Sequence, residues 1–527
     1  MVRDVRSYDI IGYGDEVPGV LALVAAAREY RRRTNRYPRV LLMSKGSLQE
    51  GIGGHLVRGG LAYLDRSQVS RELQKSLGLD TFGSPPTLYR EFLQRSGVIG
   101  IGLDPRKANA ALKDMLLQAG VDLLSKVEIQ AVTKEGQKIA SITTSRGVIY
   151  SAKQFIDATV NAELAQVAGV KKLKGFQTFG LPESELPVSL IFETQGLSVR
   201  RLKELDYTYL KRFTNLGDTQ AQKYLLHAAG MNAKLAEQLR LEMIEPRGNL
   251  RTLWAGHDYI DVRSPALSIA YHSFRGTKLS FSDTGIILDE GNIAILPGER
   301  LSWNALLFAV TGSEAESLAR SGGKPTPKML EEMSFVATWL KSLGATSVTP
   351  ASELYIRHAG NVTGVVEPLT GAKMLMGGVP ESEALASFAY HFDVRGGIKG
   401  MGEKAKSQGW MNSLSFKPPV FNVGIRHALI KNVPNLAVVS PGSGFEGFSS
   451  SAGRIVEFNA AVGQGLGIAA INALLTGKNM ADVSNREVRQ VLAETGQLPR
   501  IYGRANHQDG FLLAQFESLV TGGTVVA

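Results

Sequence analysis

The sequence predicts an α/β protein, a Rossmann-like dinucleotide-binding domain with a mixed α+β domain inserted into it. Three observations carry this expectation. Residues 8–45 read as strand, glycine turn, helix and strand, the opening unit of a dinucleotide-binding fold. Residues 433–475 return to that texture, with an apolar strand emptying into a glycine- and serine-rich loop and then a helix of small and apolar residues. Between them, residues 190–420 alternate β-like and helical runs. The division read from this is a first part of the nucleotide domain over 1–190, an inserted substrate or cap domain over 191–420, a return segment over 421–480, and a C-terminal helix and tail over 481–527.

The first unit opens with an apolar strand at 8–13 and turns through Gly14-Asp15-Glu16-Val17-Pro18-Gly19. A diphosphate approaches backbone N–H groups at a helix N-terminus, and only small residues permit that approach. Pro18 suits the start of the helix, and the basic tail at 28–33 suits its C-terminal end, where the dipole favours positive charge. Two registers stay open. Either Gly14 and Gly19 are the outer glycines with Glu16 at the middle position, or Gly12 and Gly14 lead and Gly19 is displaced. Asp15 and Glu16 put negative charge where a diphosphate would sit, as they would in an ordinary βαβ unit whose acidic turn caps a helix. The second strand, 39–43, closes on Ser44-Lys45, where an acid for the ribose hydroxyls is the usual residue.

Composition sets the outer limits. The 527 residues allow two to four domains. Cys is absent, which excludes disulfides, thiolate metal sites and a cysteine nucleophile, and no metal site is expected. This fits a cytoplasmic enzyme, and no apolar leader segment precedes the first strand. No uninterrupted apolar run approaches bilayer length, so no membrane span is expected. The net charge of +10 is read as a solvated basic surface, and so is the stripe of arginines at 28–39, rather than as a nucleic-acid footprint.

Further along, Gly53-Gly54 and Gly59-Gly60 flank His55 and Arg58, a segment able to run flush against a flat ligand. Asp104-Pro105 starts a helix that Gly120 ends. Short strands follow at 121–124 and 127–132, then a hairpin over 139–150, then an apolar strand at 154–159 ending on Ala158 and Thr159. In the middle region, β-like runs are read at 189–193, 266–272, 284–288, 294–296 and 353–356, a helix at 328–343, and a hairpin turn at Asp289-Glu290-Gly291-Asn292. The helix over 455–475 carries Gly463, Gly465 and Gly467 on nearly one face, which suggests close packing on a sheet or ligand. Ser484-Asn485-Arg486-Glu487 is a capping box opening one more helix. The tail from 498 has no assigned structure.

Taken together, the phosphate turn, the Gly53–Gly60 segment, the strand end at 155–164 and the return segment at 435–467 resemble the FAD-dependent oxidoreductases related to the fumarate reductase and succinate dehydrogenase flavoproteins. Glu16 departs at the middle glycine, and Val160-Asn161 replace the usual Gly and Asp of the strand end. The resemblance implies a FAD-binding domain of the glutathione-reductase type. Gly14, Glu16, Pro18 and Gly19 would then border the diphosphate, and Ser44 and Lys45 the ribose. Val127 would border the adenine through its backbone. Gly53, Gly54, His55, Arg58, Gly59 and Gly60 would pass beside the flavin, with Ala158 and Thr159 at the strand end. Gly442, Ser443, Gly447, Phe448, Ser449 and Ser450 would meet the ribityl chain and ring.

Flavin chemistry leaves the protein to bind, orient and stabilise charge, and hydride transfer at N5 needs a proton carrier and a charge anchor. Tyr390-His391-Phe392-Asp393-Val394-Arg395 resembles the family's flavin-covering segment, with Arg395 in place of its last histidine. An alternating strand would put His391, Asp393 and Arg395 on one face, and a surface ion-pair cluster is the other reading. Arg357 and His358 are the next candidates. The function implied is hydride transfer between flavin N5 and a small, anionic organic substrate, with the electron acceptor open. A non-catalytic flavin-fold protein and a flavin-dependent RNA-modifying protein are the alternatives. Related flavoproteins can carry FAD covalently on a histidine near the position of His55, but its offset from Gly59-Gly60 differs from theirs, so non-covalent binding is expected. Acid precipitation of FAD-loaded protein should release the yellow colour into the supernatant; colour kept in the pellet and lost in His55→Ala would show a covalent link.

Overall fold

The computed structural model describes residues 5–521, so the ends of the first and last segments, residues 1–4 and 522–527, lie outside the described residues. At its centre is a five-stranded sheet in the order Leu436–Val438, Gln154–Asp157, Ile10–Tyr13, Val40–Ser44, Val121–Ser125. Every neighbouring pair in it is parallel. The strand Ile10–Tyr13 is buried along its whole length. Parallel sheets are covered on both faces, which is why their strands read as continuous apolar runs. The helix Val17–Thr34 leaves this strand through the glycine turn, with Pro18 in its first turn and Arg31, Arg32 and Arg33 in its last. Those arginines are partly neutralised within the chain, since Glu29 accepts from Arg32 and Arg33.

The helix Val456–Thr476 crosses this first helix at very short range. A Cβ on Gly463 would stand 2.2 Å from the Pro18 carbonyl oxygen, and one on Gly467 would stand 2.3 Å from that of Ala22. Gly465 instead faces Leu385 and Ile425, because two residues along a helix is about half a turn. The close packing is therefore against the first helix, and the three glycines do not share one face. By length and composition this helix could cross a bilayer, and 89% of its apolar window is buried inside the protein.

Residues 188–356 supply a separate, eight-stranded sheet. Its spine is the antiparallel pair Ile286–Leu296 and Arg300–Phe308. Phe192 stacks on Trp303 across it, and Trp303 Nε1 donates to Thr194 Oγ1 at 3.0 Å. A four-stranded sheet, Val5–Ser7, Ile149–Ser151, Lys138–Thr144 and Ile129–Glu135, flanks the parallel one. The tail forms the helix His507–Thr521, which packs on the short helix Gly371–Leu375.

Three local expectations fail for identifiable reasons. Residues 266–272 are not a strand but part of the helix Ala266–Arg275; the short run is buried on every side, Ser268 and His272 included, so its period is silent. Asp289–Asn292 is not the hairpin turn. It lies inside the strand Ile286–Leu296, where the register slips, and the chain reverses at Pro297-Gly298-Glu299 instead. Gly291 is there because a Cβ would stand 2.4 Å from that of Ala305 on the neighbouring strand. Residues 390–395 are not a strand either, since the paired segment Ala386–Ala389 ends before them.

The helix crossing generates a paired prediction. Gly467→Ala drives a methyl into backbone and should lose roughly 1–3 kcal/mol in a denaturant titration, although Ala is the better helix former. Gly402→Ala, in the helix Met401–Ser407 with nothing within 4 Å of the added carbon, should gain about 0.5–1 kcal/mol.

Candidate active site and cofactor cleft

The parallel strands end at a cleft lined by the turn Gly14-Asp15-Glu16, by Lys45 and Gly46, by His55 and Arg58, by Ala158 to Asn161, and by Glu353, Leu354 and Ile356. This is the crevice beyond the carboxyl ends of the strands where open α/β sheets bind ligands. Gly14 holds φ at +94°, and Gly19 faces the Ala158 methyl, so close that a Cβ would approach it to 2.2 Å. Asp157 fixes the roof of the cleft by accepting from Thr159 N–H at 2.9 Å, Thr159 Oγ1 at 2.7 Å and Ala165 N–H at 2.9 Å. Its burial raises its pKa to about 6 against the pull of those donors.

The acidic turn is bound internally. Asp15 accepts from Ser44 Oγ at 2.8 Å, from Gly53 N–H at 3.0 Å and from Arg58 through both guanidinium nitrogens. Burial alone would raise the Asp15 pKa, but Arg58 holds it below the usual carboxylate range. Arg58 also donates to Glu353 at 2.8 Å, and these two acids keep it charged despite its burial. Glu16 accepts from His55 N–H at 3.1 Å. Ser44 is therefore turned to Asp15 and away from a ribose, while Lys45 reaches Glu163 at 2.8 Å. Val127 stands outside the cleft lining, with its N–H bonded to Ser44 O and its carbonyl accepting from Tyr13. A dinucleotide diphosphate fits this cradle in backbone shape and in donor type. Asp15 and Glu16 hold the donors of Ser44, Gly53, His55 and Arg58 that face it.

The return loop closes behind the cleft. Ser443 Oγ donates to Val438 O at 2.7 Å, and Ser449 Oγ donates to Leu369 O at 2.6 Å. A Cβ on Gly442 would approach Val160 O at 3.2 Å, and Ser450 Oγ is buried without a hydrogen-bond partner among the described residues. Glu517, from the tail helix, accepts from Phe448 N–H at 2.9 Å and from Ala372 N–H at 3.3 Å. One buried carboxylate thus caps two short helices that flank this loop.

Beyond a one-strand wall lies a second cavity of about 340 Å³. It brings together four of the five catalytic candidates, His391, Asp393, Arg395 and Arg357, with Arg66, Arg454, Asp65 and Tyr355. Arg454 donates to Tyr355 Oη at 2.8 Å and to Asp393 at 2.6 Å. Burial would raise the Asp393 pKa, but Arg454 and Arg395 bring it below normal. Arg395 stands 3.5 Å from Asp289. Among the described residues Arg357 donates to neutral groups alone, Pro187 O at 2.8 Å, Ser189 Oγ at 2.9 Å and Asn304 Oδ1 at 3.4 Å. Burial lowers its pKa to about 10. Gln68 Oε1 accepts from the His391 backbone N–H, so the 2.8 Å contact of His391 Nδ1 with the same oxygen makes Nδ1 the donor; Nε2 then faces Asp393 at 4.0 Å. The fifth candidate, His358, lies elsewhere. It is fully buried between Glu185 at 2.7 Å and Asn361 at 2.9 Å.

The sequence reading did not single out Arg454, Tyr355, Arg66 or Asp65. Arg454 had a usable signal, a lone cation among the small residues of 449–456, since an unaccompanied charge in such a run is rarely buried without a task. Tyr355 and Asp65 come into place through tertiary contacts alone.

Fold and cleft define a nucleotide-binding α/β protein of mixed architecture whose parallel sheet carries the cofactor crevice. The description of FAD dependent oxidoreductases matches residues 9–492, so the chain belongs to the FAD-dependent oxidoreductase family, enzymes whose cofactor is FAD. No curated protein sequence matches it. Among solved structures it is similar to an L-proline dehydrogenase from P. horikoshii, at 12% identity over 94% of this chain and 99% of that one, with a TM-score of 0.34. It is also similar to the myxobacterial chondrochloren halogenase CndH, at 12% identity over 99% and 91% with a TM-score of 0.38. A geranylgeranyl bacteriochlorophyll reductase-like protein from Thermoplasma acidophilum shows 10% identity over 98% and 89%, with a TM-score of 0.38. Likeness this remote carries no argument about substrate.

The tail helix gives a pH prediction. Burial raises the Glu517 pKa to about 7, above the unfolded value of about 4.3. The folded state therefore binds this proton more tightly, and its contribution is full below the unfolded value and declines as pH rises towards 7. In wild type the denaturation midpoint should fall over this interval, and Glu517→Gln should flatten that part of the profile.

Proposed function

We propose that this enzyme moves a hydride between flavin N5 and a small anionic organic substrate held in the basic cavity. In this reading it has a glutathione-reductase-type FAD domain related to the fumarate reductase and succinate dehydrogenase flavoproteins, residues 191–420 act as the substrate-facing insert, and the setting is cytoplasmic. The observation that carries the reading is the cavity's charge. Among the described residues of the lining, Arg66, Arg357, Arg395 and Arg454 stand with two acids, Asp65 and Asp393, and Asp289 approaches Arg395 from outside it. Arg357 in particular is a buried cation whose partners are neutral, and a buried charge left without an opposite one is costly. An anion entering the cavity would supply the missing charge.

FAD, when bound, would supply the two-electron exchange. The chain's residues would do the remainder. Arg357 would anchor the substrate's negative group, and Arg395 would stabilise the charge that develops on reaction. Arg454 would hold the Tyr355 hydroxyl and the Asp393 carboxylate in place. His391, with Nδ1 fixed by Gln68, would carry a proton on Nε2. A second reading, a flavin-fold protein without catalysis, is favoured by the acids of the turn, seated on the donors that face the cleft.

The test uses a panel of small mono- and dicarboxylates against FAD-loaded protein. Some member should raise the unfolding temperature and perturb the flavin spectrum, with about 2.7 kcal/mol of stabilisation at one hundred times its Kd. Arg357→Ala should abolish that shift. Arg395→Ala should slow flavin reduction about 10²-fold or more without releasing FAD, and Arg395→Lys should recover only part of the rate. A panel without response, or a response untouched by Arg357→Ala, removes the anionic assignment.

A further inference from the structure

The acidic turn holds donors from the opposite side of the cleft that a diphosphate would enter. Gly53 N–H, the Ser44 hydroxyl and the Arg58 guanidinium all point at Asp15, and His55 N–H points at Glu16. None of them belongs to the first turn of the helix Val17–Thr34; they are hydroxyl, guanidinium and N–H donors facing the turn, of the types that also bind phosphate oxygens. The Glu16 carboxylate is set into a recess that only glycine leaves open, since a Cβ on Gly54 would stand 2.0 Å from Glu16 Oε1. Glu16 Oε2 and His55 Nδ1 are buried and pair with each other at ion-pair distance, and among the described residues neither atom has a further hydrogen-bond partner. The free volume of the cleft is about 90 Å³, well under the roughly 300–1,000 Å³ of small-molecule sites, because these side chains fill it.

We propose that Asp15 and Glu16 are built-in substitutes for the cofactor's diphosphate, which must give up their donors for FAD to bind, so that FAD is an exchangeable cofactor in this protein rather than a permanently held one. A donor holds one anion strongly at a time, and two carboxylates beside a diphosphate also repel it in a poorly solvated cleft. FAD binding is then a replacement of one set of anions by another, and its net affinity is the difference between them. Glu16 is the chief determinant. Its partner His55 and the wall of its recess, Gly54, belong to the same short helix, Gly54–Val57, so withdrawing the carboxylate opens one continuous side of the cleft.

The experiment measures FAD binding, not turnover. Wild type, Glu16→Gln and Asp15→Asn are titrated with FAD by fluorescence quenching at fixed ionic strength, with adenosine diphosphate as a second probe. Thermal unfolding of each variant is followed in parallel. Glu16→Gln keeps the shape of the side chain and removes its charge, and should bind both ligands at least tenfold more tightly. Wild type loaded with FAD should lose its colour on gel filtration, while Glu16→Gln keeps it. Asp15→Asn should move the same way; if it does not fold, Glu16→Gln decides the matter alone. Equal or weaker binding by a folded Glu16→Gln would overturn the proposal, as would wild type that keeps its FAD through the column. Failure of the carboxylate panel above leaves this result unaffected, because no substrate enters the measurement.

Discussion

One buried cation ties the site together. Arg58 reaches Asp15 in the phosphate turn and Glu353 at the start of the wall strand, and it sits itself on the glycine-flanked segment beside the cleft. Three stretches far apart in sequence are thus positioned by one guanidinium whose planar fork suits two carboxylates at once. Removing one partner from such a cluster leaves a buried charge uncompensated, which typically costs about 3–5 kcal/mol. The arrangement fixes where the turn, the wall and the segment stand relative to each other, and the depth of the cleft follows from it.

Much of the fold was legible because its determinants are local. The parallel strands at 10–13, 40–44 and 154–157 announce themselves as short apolar runs, and the capping box at Ser484 appears as read, with Glu487 returning to the Ser484 N–H. The failures also have local causes. At 266–272 every residue is buried, Ser268 and His272 included, so no exposed side separates this stretch of helix from a buried strand. Gly291 looks like a turn residue, but its missing side chain serves a close cross-strand approach to Ala305. The tail was unreadable because its helix is held by tertiary contacts, chiefly the Glu517 carboxylate on the backbone amides of residues 372 and 448.

The site was legible in composition more than in geometry. Arg357, His391, Asp393 and Arg395 share one cavity, although the alternating strand that suggested the grouping does not exist. They converge because the irregular segment after Ala389 folds over the cavity mouth, with Gln68 fixing His391 and Arg454 fixing Asp393. Arg357 and His358, adjacent in sequence, point into different surroundings. One lines the cavity, and the other is sealed between Glu185 and Asn361.

The wall between cleft and cavity is a single short segment built around the strand Tyr355–Ile356, and from Leu354 to Arg357 its side chains alternate. Glu353, Leu354 and Ile356 line the cofactor side, whereas Tyr355 and Arg357 line the other. Successive residues of an extended chain face opposite ways, so parity along Leu354 to Arg357 decides which chamber a change affects, while Glu353, at a bend, stays on the cofactor side. Drift at position 357 can reshape what the enzyme accepts while leaving its cofactor chamber alone, whereas Tyr355 stacks on His55 of the cofactor cleft and a change there reaches both chambers. A one-residue insertion would have the reverse character, exchanging the two linings in a single step. This short stretch therefore tolerates replacement far better than changes in length, and diversity among descendants of this chain should be written there in substitutions rather than gaps.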